Sequence, residues 1–393
     1  MAVQIPNRWM ARSDSVSAHP SIEIRQDFRS ESFRAHPFLI PGYTGNRILG
    51  SITCKGALGD MFETANISIF AGSGGRIFAE RMCNYMNKPL GSCEVIKFSE
   101  GNTFVRVNET VRDRDIFLVQ PIGMQSNDEF VEILFWMDAF KRANALSCTL
   151  IMPYFGYGKG DKKDEPRVSI RARVCAECME LAGADRFVTM DLHAPQLQGF
   201  WKKPVDHLYA LPMLTEVLKR LDTSNAVVVS PDAGFAKQAR KFADALGLPI
   251  AIGDKTRIDH HENAQILEVI GDVKDKDCLI VDDFTISGGT LVNLAESLKA
   301  RGAKDIVALL SHNIVSADGV RRINDSPISR VYSTDTVENP NIIGQEKFKT
   351  VSVAPMFAET IMRYYNYQSV NAMFSQLPER VVSAGFGFTG LEL

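Results

Sequence analysis

Two adjacent acids, Asp282 and Asp283, follow an apolar run at residues 279–281. Burying two carboxylates side by side is costly unless a ligand or a protein donor satisfies them. Their oxygens can accept hydrogen bonds from hydroxyl groups, as on a sugar, or they can hold a metal ion. Both ligand classes stay open for the acids, as does the simpler alternative of an acidic strand end with no ligand.

A short loop of small residues begins four positions after Asp283 and precedes a predicted helix. Glycine lets a ligand approach the backbone closely, and the free N–H groups and the dipole of a helix N-terminus favour an anion. A phosphate group fits such a loop, although a plain helix cap has the same pattern. The lysine of a Walker motif is absent, and the spacing is not that of a dinucleotide fingerprint. The loop residues are Ser287, Gly288, Gly289 and Thr290.

Polar residues also follow other apolar runs. Asp191 and His193 end the run at 186–193, and Asp232 lies in the segment SPDAG. Carboxylate and imidazole groups both bind divalent cations, so these residues are candidate metal ligands. For His193, a histidine that is merely hydrogen-bonded in a turn is the alternative.

Basic residues follow a further predicted strand. Lys255 and Arg257 alternate, so they share one face if the strand continues. Two cations directed at one point suit a transferring phosphoryl group, and a solvated basic face is the alternative. The glycine-rich loop at 156–173 carries several Lys and Arg residues and is typical of a lid over phosphates, or of an ordinary solvated loop.

The elements that must position these residues alternate between strands and helices from about residue 66. Continuous apolar strands separated by helices predict parallel sheets covered on both faces. Ligands of such sheets bind beyond the carboxyl ends of the strands, where the polar residues lie. Among the helices, the pattern predicts 76–86, 127–143, 169–182, 207–221 and 291–303; among the strands, 67–71, 115–121, 148–155, 186–193, 248–255, 277–284 and 305–312.

Composition excludes several functional classes. The 393 residues, 45% hydrophobic and 23% charged, are typical of a globular protein with room for two domains. A net charge of −3 gives no field that would recruit nucleic acid or an anionic membrane, and we expect neither as a partner. No apolar run approaches the ~18 residues of a membrane span, and the first residues lack the apolar core of a secretory signal. Seven scattered cysteines, with one CxxC pair at Cys175 and Cys178, predict reduced thiols in the cytoplasm.

Together, the segments from about residue 66 to 376 resemble the ribose-phosphate diphosphokinases, or phosphoribosyl diphosphate (PRPP) synthases, in order throughout. The segment MDLHAPQLQGFW at 190–201 is similar to the family signature, and SPDAG, GDKTR, VDDFTISGGT and the segments at 98–120 and 352–374 add to it. The resemblance implies an α/β fold of two similar phosphoribosyltransferase-like (Rossmann-like) domains with parallel sheets. We assign 63–207 to the first and 208–354 to the second, with a C-terminal helix at about 355–376 packing back on the first. Residues 1–62 are predicted to be an irregular N-terminal extension.

The resemblance also implies a reaction. The diphosphoryl group of ATP would pass to the C1 hydroxyl of ribose 5-phosphate, giving PRPP and AMP, with Mg²⁺ required. Assembly would proceed through dimers to hexamers or larger homo-oligomers. On this basis the catalytic residues are Lys255 and Arg257, and the metal ligands are His193 and Asp232. The ribose 5-phosphate residues are Asp282, Asp283, Ser287, Gly288, Gly289 and Thr290.

The implied nucleotide site extends over three segments. Three of its residues would approach adenine from a neighbouring subunit, and the others belong to the lid and the signature. Its members are Phe98, Glu100 and Asn102 from the neighbouring subunit, and Lys159, Gly160, Asp161 and His193.

Several positions depart from the family pattern. The family usually has Asp at Glu100 and Glu at Asn102, Arg-Gln at Lys159 and Gly160, and a third acid at Ile286. Lysine does not replace the two-pronged hydrogen bonding of arginine, and glycine and isoleucine remove polar contacts. Three hypotheses stay open: a PRPP synthase, a diphosphokinase of the same family with a different ribose-phosphate acceptor, and a non-catalytic regulatory homologue.

Overall fold

The chain folds as strands that alternate with helices, as its apolar pattern predicts. The structure, a computed structural model, describes residues 66–257 and 265–391, which belong to one compact unit; the predicted extension lies outside them. The strands are β1 Ile67–Ala71, β2 Cys93–Lys97, β3 Thr103–Val107, β4 Asp115–Val119, β5 Ser147–Met152, β6 Arg186–Met190, β7 Val205–Leu208, β8 Ala226–Ser230, β9 Ile250–Arg257, β10 Gln265–Ile270, β11 Asp277–Phe284, β12 Ile306–His312, β13 Arg330–Thr334 and β14 Phe348–Val351. The helices are α1 Arg76–Met86, α2 Ser126–Arg142, α3 Arg171–Ala182, α4 Leu211–Leu218, α5 Ala236–Leu246, α6 Gly289–Ala300, α7 Ala317–Asn324, α8 Ala354–Tyr365, α9 Ala372–Ser375 and α10 Glu379–Gly387.

The first half contains a five-stranded sheet in the order β1-β4-β5-β6-β7, with every neighbouring pair parallel. Strand β1 is buried along its whole length, because helices cover both faces of a parallel sheet. The hairpin of β2 and β3 forms a separate antiparallel pair. All the carboxyl ends of the five strands therefore meet at one edge, where ligands of such sheets bind.

The second half contains a seven-stranded sheet in the order β10-β9-β8-β11-β12-β13-β14. Its neighbouring strands are parallel except β9 and β10, which pair antiparallel at one edge. Strands β11 and β12 occupy the interior, and their apolar residues are buried on both faces. The order places the end of β11, which carries Asp282 and Asp283, beside the end of β12.

The apolar cores of the two halves merge. One cluster of buried side chains runs from β1 and α1 through α4 and α8 to β8, β11 and β13. Within it, the rings of Phe78 in α1 and Phe357 in α8 meet edge to face at 5.3 Å. Two further clusters cover the outer faces of the sheets, and Trp136 and Phe140 stack in the first of them. The shared cluster lets α8, which follows the second sheet in sequence, pack against the first half.

Two of the predicted helices need correction, and one observed helix was missed. The helix predicted at 207–221 is wrong at its start, because residues 205–208 extend the first sheet as β7 and α4 begins at Leu211. The helix predicted at about 355–376 is interrupted after Tyr365: Tyr367 adopts a left-handed backbone with φ 52°, and the Gln368 N–H donates to the carbonyl of Arg363, which ends α8. Helix α10 was not predicted, although Pro378 precedes it and Val381, Val382 and Phe386 give it a buried face.

Two of the sequence expectations concern membranes and thiols. Within the part of the chain that the structure describes, no helix has the length and apolar character needed to cross a bilayer. Cys175 and Cys178 of the CxxC segment are free thiols. Burial raises the pKa of the Cys175 thiol to about 12, so this sulfur is a poor nucleophile at neutral pH.

Candidate active site

The two halves meet at a contact between a histidine and an acid. His193, three residues after β6, lies with Nδ1 2.7 Å from Oδ2 of Asp283 in β11. The His193 side chain is 40% exposed and that of Asp283 16%, so a ligand in the cleft can reach both groups. The structure thus joins a predicted metal and nucleotide residue to a predicted ribose residue, although 90 positions separate them in sequence.

The pKa values of the two adjacent acids are shifted in opposite directions. Burial and the neighbouring Asp283 carboxylate raise the pKa of Asp282 well above its ordinary value. Burial also acts to raise the pKa of Asp283, but the hydrogen bond and charge of His193 outweigh it, so that this pKa is lowered. Of the two, Asp283 therefore releases its proton at lower pH and Asp282 keeps its proton to higher pH. Main-chain N–H groups of Asp283 and Phe284 donate to Oδ1 of Asp282 and Asp283 at 2.9 and 2.8 Å and fix both side chains.

The loop of small residues is held against α7. The Ser316 N–H donates to the carbonyl of Ile286 at 2.9 Å, and the Thr285 hydroxyl accepts from the Gly288 N–H at 3.2 Å. Gly288 has a left-handed φ of 71°, and a Cβ there would stand only 3.2 Å from the carbonyl oxygen of Gly319. Glycine is needed at this position for both reasons. Gly289 then opens α6, so the loop presents a helix N-terminus beside the acids.

Arg322 is a candidate functional residue that the sequence analysis missed. A Cβ built on Gly289 would lie 3.8 Å from Nη1 of Arg322, so the guanidinium borders the predicted phosphate loop. The neighbouring Arg321 pairs with Asp318, whereas the guanidinium of Arg322 makes no ion pair or hydrogen bond with any residue that the structure describes. No local signal separates these two arginines in sequence; only the packing of α7 on the loop does.

Asp191, a candidate cation ligand from sequence, is engaged elsewhere. Its Oδ2 accepts hydrogen bonds from the Ser311 hydroxyl at 2.6 Å and the Ala210 N–H at 3.0 Å. Its backbone is in the left-handed region with φ 36°, which is uncommon for a residue other than glycine. Burial raises the pKa of Asp191 to about 6, despite these two donors. Asp191 therefore links the two halves, and its carboxylate is already hydrogen-bonded on the side that faces the second sheet.

The predicted metal ligands, His193 and Asp232, are considered for a magnesium ion that binds together with its substrate. Oδ1 of Asp232 accepts from the Phe235 N–H at 3.0 Å in the turn before α5. Among the residues that the structure describes, no three His, Cys, Asp or Glu side chains cluster closely enough to enclose a metal. Mg²⁺ is commonly held by one or two carboxylates together with waters and substrate phosphates, so the carboxylate of Asp232 is the kind of ligand that such an ion takes.

The lid residues lie on the first half beside Phe284. Residues Gly156–Lys159 form a 3₁₀ turn, and Nζ of Lys159 lies 4.2 Å from the centroid of the Phe284 ring. Gly160 leaves room for a neighbour, because a Cβ there would stand 2.8 Å from Nε of Arg171. The Arg171 side chain thus occupies the space that a side chain at this position would take. Asp161, the next residue, lies outside any helix or strand and is half-buried.

The hairpin residues lie apart from these groups within one chain. Phe98, 45% exposed, and Glu100 and Asn102 occupy the turn between β2 and β3, where the Phe98 N–H donates to the Asn102 carbonyl. Across the described residues, no hydrogen bond or ring contact connects this turn with His193 or the acids. The side chains of Lys255 and Arg257 lie outside the described part of the structure, although β9 extends to Arg257.

A cavity of about 860 Å³ adjoins the histidine and the acid. His193 and Asp283 line it together with Asp191, and Lys237 and Lys241 add positive charge from α5. This size suits a ligand such as a nucleotide or a sugar phosphate. The lining of this cavity includes neither the loop at 287–290 nor Lys159. A second cavity of about 880 Å³, between α1 and the end of α10, contains none of the predicted site residues.

Comparisons with known proteins agree with this geometry. A family model described as the N-terminal domain of ribose phosphate pyrophosphokinase matches residues 67–183, and one described as a phosphoribosyl synthetase-associated domain matches 255–375. The ribose-phosphate pyrophosphokinase of Clostridium tetani is 41% identical over 79% of this chain and 98% of its own, and that of Clostridium perfringens is 43% identical over the same shares.

A solved structure extends the similarity to the fold. The crystal structure of phosphoribosylpyrophosphate synthetase from Mycobacterium smegmatis matches with a TM-score of 0.73 and 34% identity, covering 77% of this chain and 99% of that one. The predicted α/β fold of two phosphoribosyltransferase-like halves with parallel sheets is confirmed. With relatives of this identity matched over almost their whole length, the chain belongs to the ribose-phosphate pyrophosphokinase family.

Proposed function

We propose that the protein transfers the diphosphoryl group of ATP to the C1 hydroxyl of ribose 5-phosphate and releases PRPP and AMP. The observation that carries the proposal is the 2.7 Å contact between His193 and Asp283. It brings a nucleotide and metal residue of the first half to the acid pair and phosphate loop of the second half. Donor and acceptor would then meet in one cleft, which the transfer requires.

The acceptor side follows from the charge states of the acids. Ionised Asp283 accepts hydrogen bonds from ribose hydroxyls, and protonated Asp282 can both donate and accept. The loop Ser287, Gly288, Gly289 and Thr290 receives the 5-phosphate at the N-terminus of α6, with Arg322 alongside. Sugar and phosphate are thereby fixed at both ends, leaving the C1 hydroxyl directed at the donor.

The donor side rests on cations. Lys159 from the lid and Lys255 and Arg257 from β9 would neutralise the charge that develops on the transferring phosphates. His193 and Asp232 would hold magnesium, which supplies charge neutralisation on the phosphate oxygens. Phe98, Glu100 and Asn102 would reach adenine from the hairpin of a second copy, so the proposal includes a homo-oligomer built from dimers, acting in the cytoplasm.

A second candidate is the same transfer to a different ribose-phosphate acceptor. Ile286 favours it, because the residue is 49% exposed in the loop where the family usually has an acid. The Ser316 N–H already binds the Ile286 carbonyl, so this residue offers a ligand mainly an apolar surface. A non-catalytic regulatory homologue is the third candidate, and the intact histidine, acid and phosphate-loop groups disfavour it.

One assay separates these candidates. The purified protein is incubated with ATP, magnesium and ribose 5-phosphate, and AMP and PRPP are followed by mass spectrometry. Both products are expected, and Asp283→Asn, which keeps the shape but removes the charge, is expected to lose most of the rate. Absence of AMP under every condition would reject the enzyme; AMP formed only with another sugar phosphate would favour the second candidate.

A further inference from the structure

Lys159 and Phe284 form a pair across the two halves. The Lys159 ammonium lies 4.2 Å from the centroid of the Phe284 ring, within the range at which a ring face attracts a cation. Phe284 directly follows the two acids, and only 7% of it is exposed. The ring therefore lies beneath the lid cation and next to Asp283 in sequence and in space.

The Phe284 ring is held in place on its other sides. Tyr154 meets it edge to face at 5.8 Å, and the His193 ring lies 6.0 Å away. Phe284 and Tyr154 belong to a small buried cluster with Ile314 and Val337, to which both halves contribute. A side chain packed this closely keeps one orientation, so the ring offers Lys159 a fixed surface.

The main chain that carries Lys159 is fixed as well. The Gly156 N–H donates to the carbonyl of Ile122 at 2.9 Å, and the Gly160 N–H donates to that of Tyr157 at 2.9 Å. No described carboxylate pairs with the Lys159 ammonium. An aromatic ring orients a cation without neutralising it, whereas a carboxylate would compete with an anionic ligand. The N–H donors of the ammonium that point away from the ring remain available.

We propose that Phe284 is a positioning residue for nucleotide binding: its ring holds Lys159 in one position so that the ammonium receives the polyphosphate of ATP. The inference deepens the proposed function and rests on it. It also gives a physical reason why lysine serves at a position where the family usually has arginine, because a compact ammonium fits directly over the ring. Phe284 acts through Lys159 and does not contact the reacting atoms.

The test compares two substitutions at Phe284. Phe284→Met keeps the volume and apolar character but removes the ring face, and Phe284→Tyr keeps the ring. We expect Phe284→Met to raise the KM for ATP, and the Kd of magnesium-ATP measured by calorimetry, by about threefold to thirtyfold. The KM for ribose 5-phosphate should change less. Phe284→Tyr keeps the ring, so its affinity for ATP should stay close to that of the parent protein. Circular dichroism and thermal unfolding check that both variants fold.

A double-mutant cycle separates positioning from general damage to the site. In a Lys159→Gln background, Phe284→Met should weaken ATP binding little further, because the partner of the ring is already gone. Fully additive effects, or an equal loss of ribose 5-phosphate affinity, would overturn the inference. Weakened ATP binding in a protein that makes no PRPP would reject the proposed reaction and uphold the positioning role. An enzyme that makes PRPP but binds ATP equally well with and without the Phe284 ring would uphold the proposed reaction and reject the positioning role.

Discussion

Asp191, directly after β6, and Ser311, in β12, share a hydrogen bond of 2.6 Å between the carboxylate and the hydroxyl. The bond connects the ends of strands from the two sheets, 120 residues apart in sequence. The same carboxylate oxygen accepts from the Ala210 N–H, and the ring of buried His312 lies 3.2 Å from the Asp191 carbonyl. Hydrogen bonds of Asp191 with Ser311 and His312 thus connect the carboxyl ends of strands from the two sheets.

Ser311→Ala removes one donor from the Asp191 carboxylate and should destabilise the fold. We expect the free energy of unfolding to fall by about 1–3 kcal/mol, because the half-buried carboxylate keeps only one of the two hydrogen bonds that it accepts from the protein. Urea unfolding followed by circular dichroism measures the change. Ser383→Ala, an exposed position in α10, is the control and should alter stability by less than about 0.5 kcal/mol. If the two variants are equally stable, the hydrogen bond from Ser311 to Asp191 does not contribute the expected stability.

Stability should fall in acid through the buried histidines. Burial lowers the pKa of His207 to about 4, and its Nε2 accepts from the Leu192 N–H at 2.9 Å. The unfolded chain binds this proton near pH 6.5 and the folded chain only near pH 4, so the unfolded state holds more protons in that window. The free energy of unfolding therefore falls as the pH drops from about 6.5 to about 4. Burial shifts the pKa of His312 in the same way, also to about 4.

His207→Gln should flatten this pH dependence, since glutamine can still accept from the Leu192 N–H but does not titrate. Chemical unfolding at several pH values between 4 and 7 gives the slope for both proteins. The raised pKa of Asp191 acts in the opposite sense, because the folded state then holds the extra proton between about pH 4 and 6. The comparison of variant with parent cancels that contribution, and identical slopes would show that His207 does not titrate on unfolding.

Arg322→Met should weaken binding of the sugar phosphate. The guanidinium borders Gly289 in the predicted phosphate loop, and loss of a charged contact to phosphate costs about 1.5–3 kcal/mol, or roughly ten- to a hundredfold in affinity. Steady-state kinetics should show a raised KM for ribose 5-phosphate with little change in the KM for ATP. Arg321→Met, on the neighbouring residue that pairs with Asp318, is a matched control. Similar kinetics for both variants would remove Arg322 from the site.

Lys255→Ala should lower kcat by about two to three orders of magnitude with the fold intact. The residue lies on β9 and, by family resemblance, neutralises the transferring diphosphoryl group, which is the main task of a protein in such a transfer. Product formation is followed under saturating substrates, and thermal unfolding checks the fold. Lys274→Ala, at an exposed position, serves as the control. Turnover near that of the parent would show that another group carries out this task.

The strands and helices that surround the site follow from local pattern. Apolar runs predict β1, β4, β5, β6, β11 and β12, and helical spacing predicts α1 from Arg76 to Met86 as observed. Such elements are predictable because burial on both faces requires continuous apolar residues along the strand. Strand β7 was missed because it has only four residues, two of them polar, and is separated from α4 by only two residues. The end of α8 was missed because a left-handed turn at Tyr367 leaves no mark in the apolar pattern.

By itself, the sequence determined which groups could do chemistry: paired acids, a loop of small residues, a histidine and alternating cations, each at a strand end. It also carried the family resemblance. Only the tertiary structure decided which of these groups share a cleft. It paired His193 with Asp283 and shifted the pKa values of Asp282 and Asp283 in opposite directions. It also turned Asp191 toward Ser311, placed Arg322 beside the loop at Gly289 and placed Phe284 beside Lys159. Contacts between residues 90 or more positions apart depend on how the two sheets pack, which no local pattern encodes.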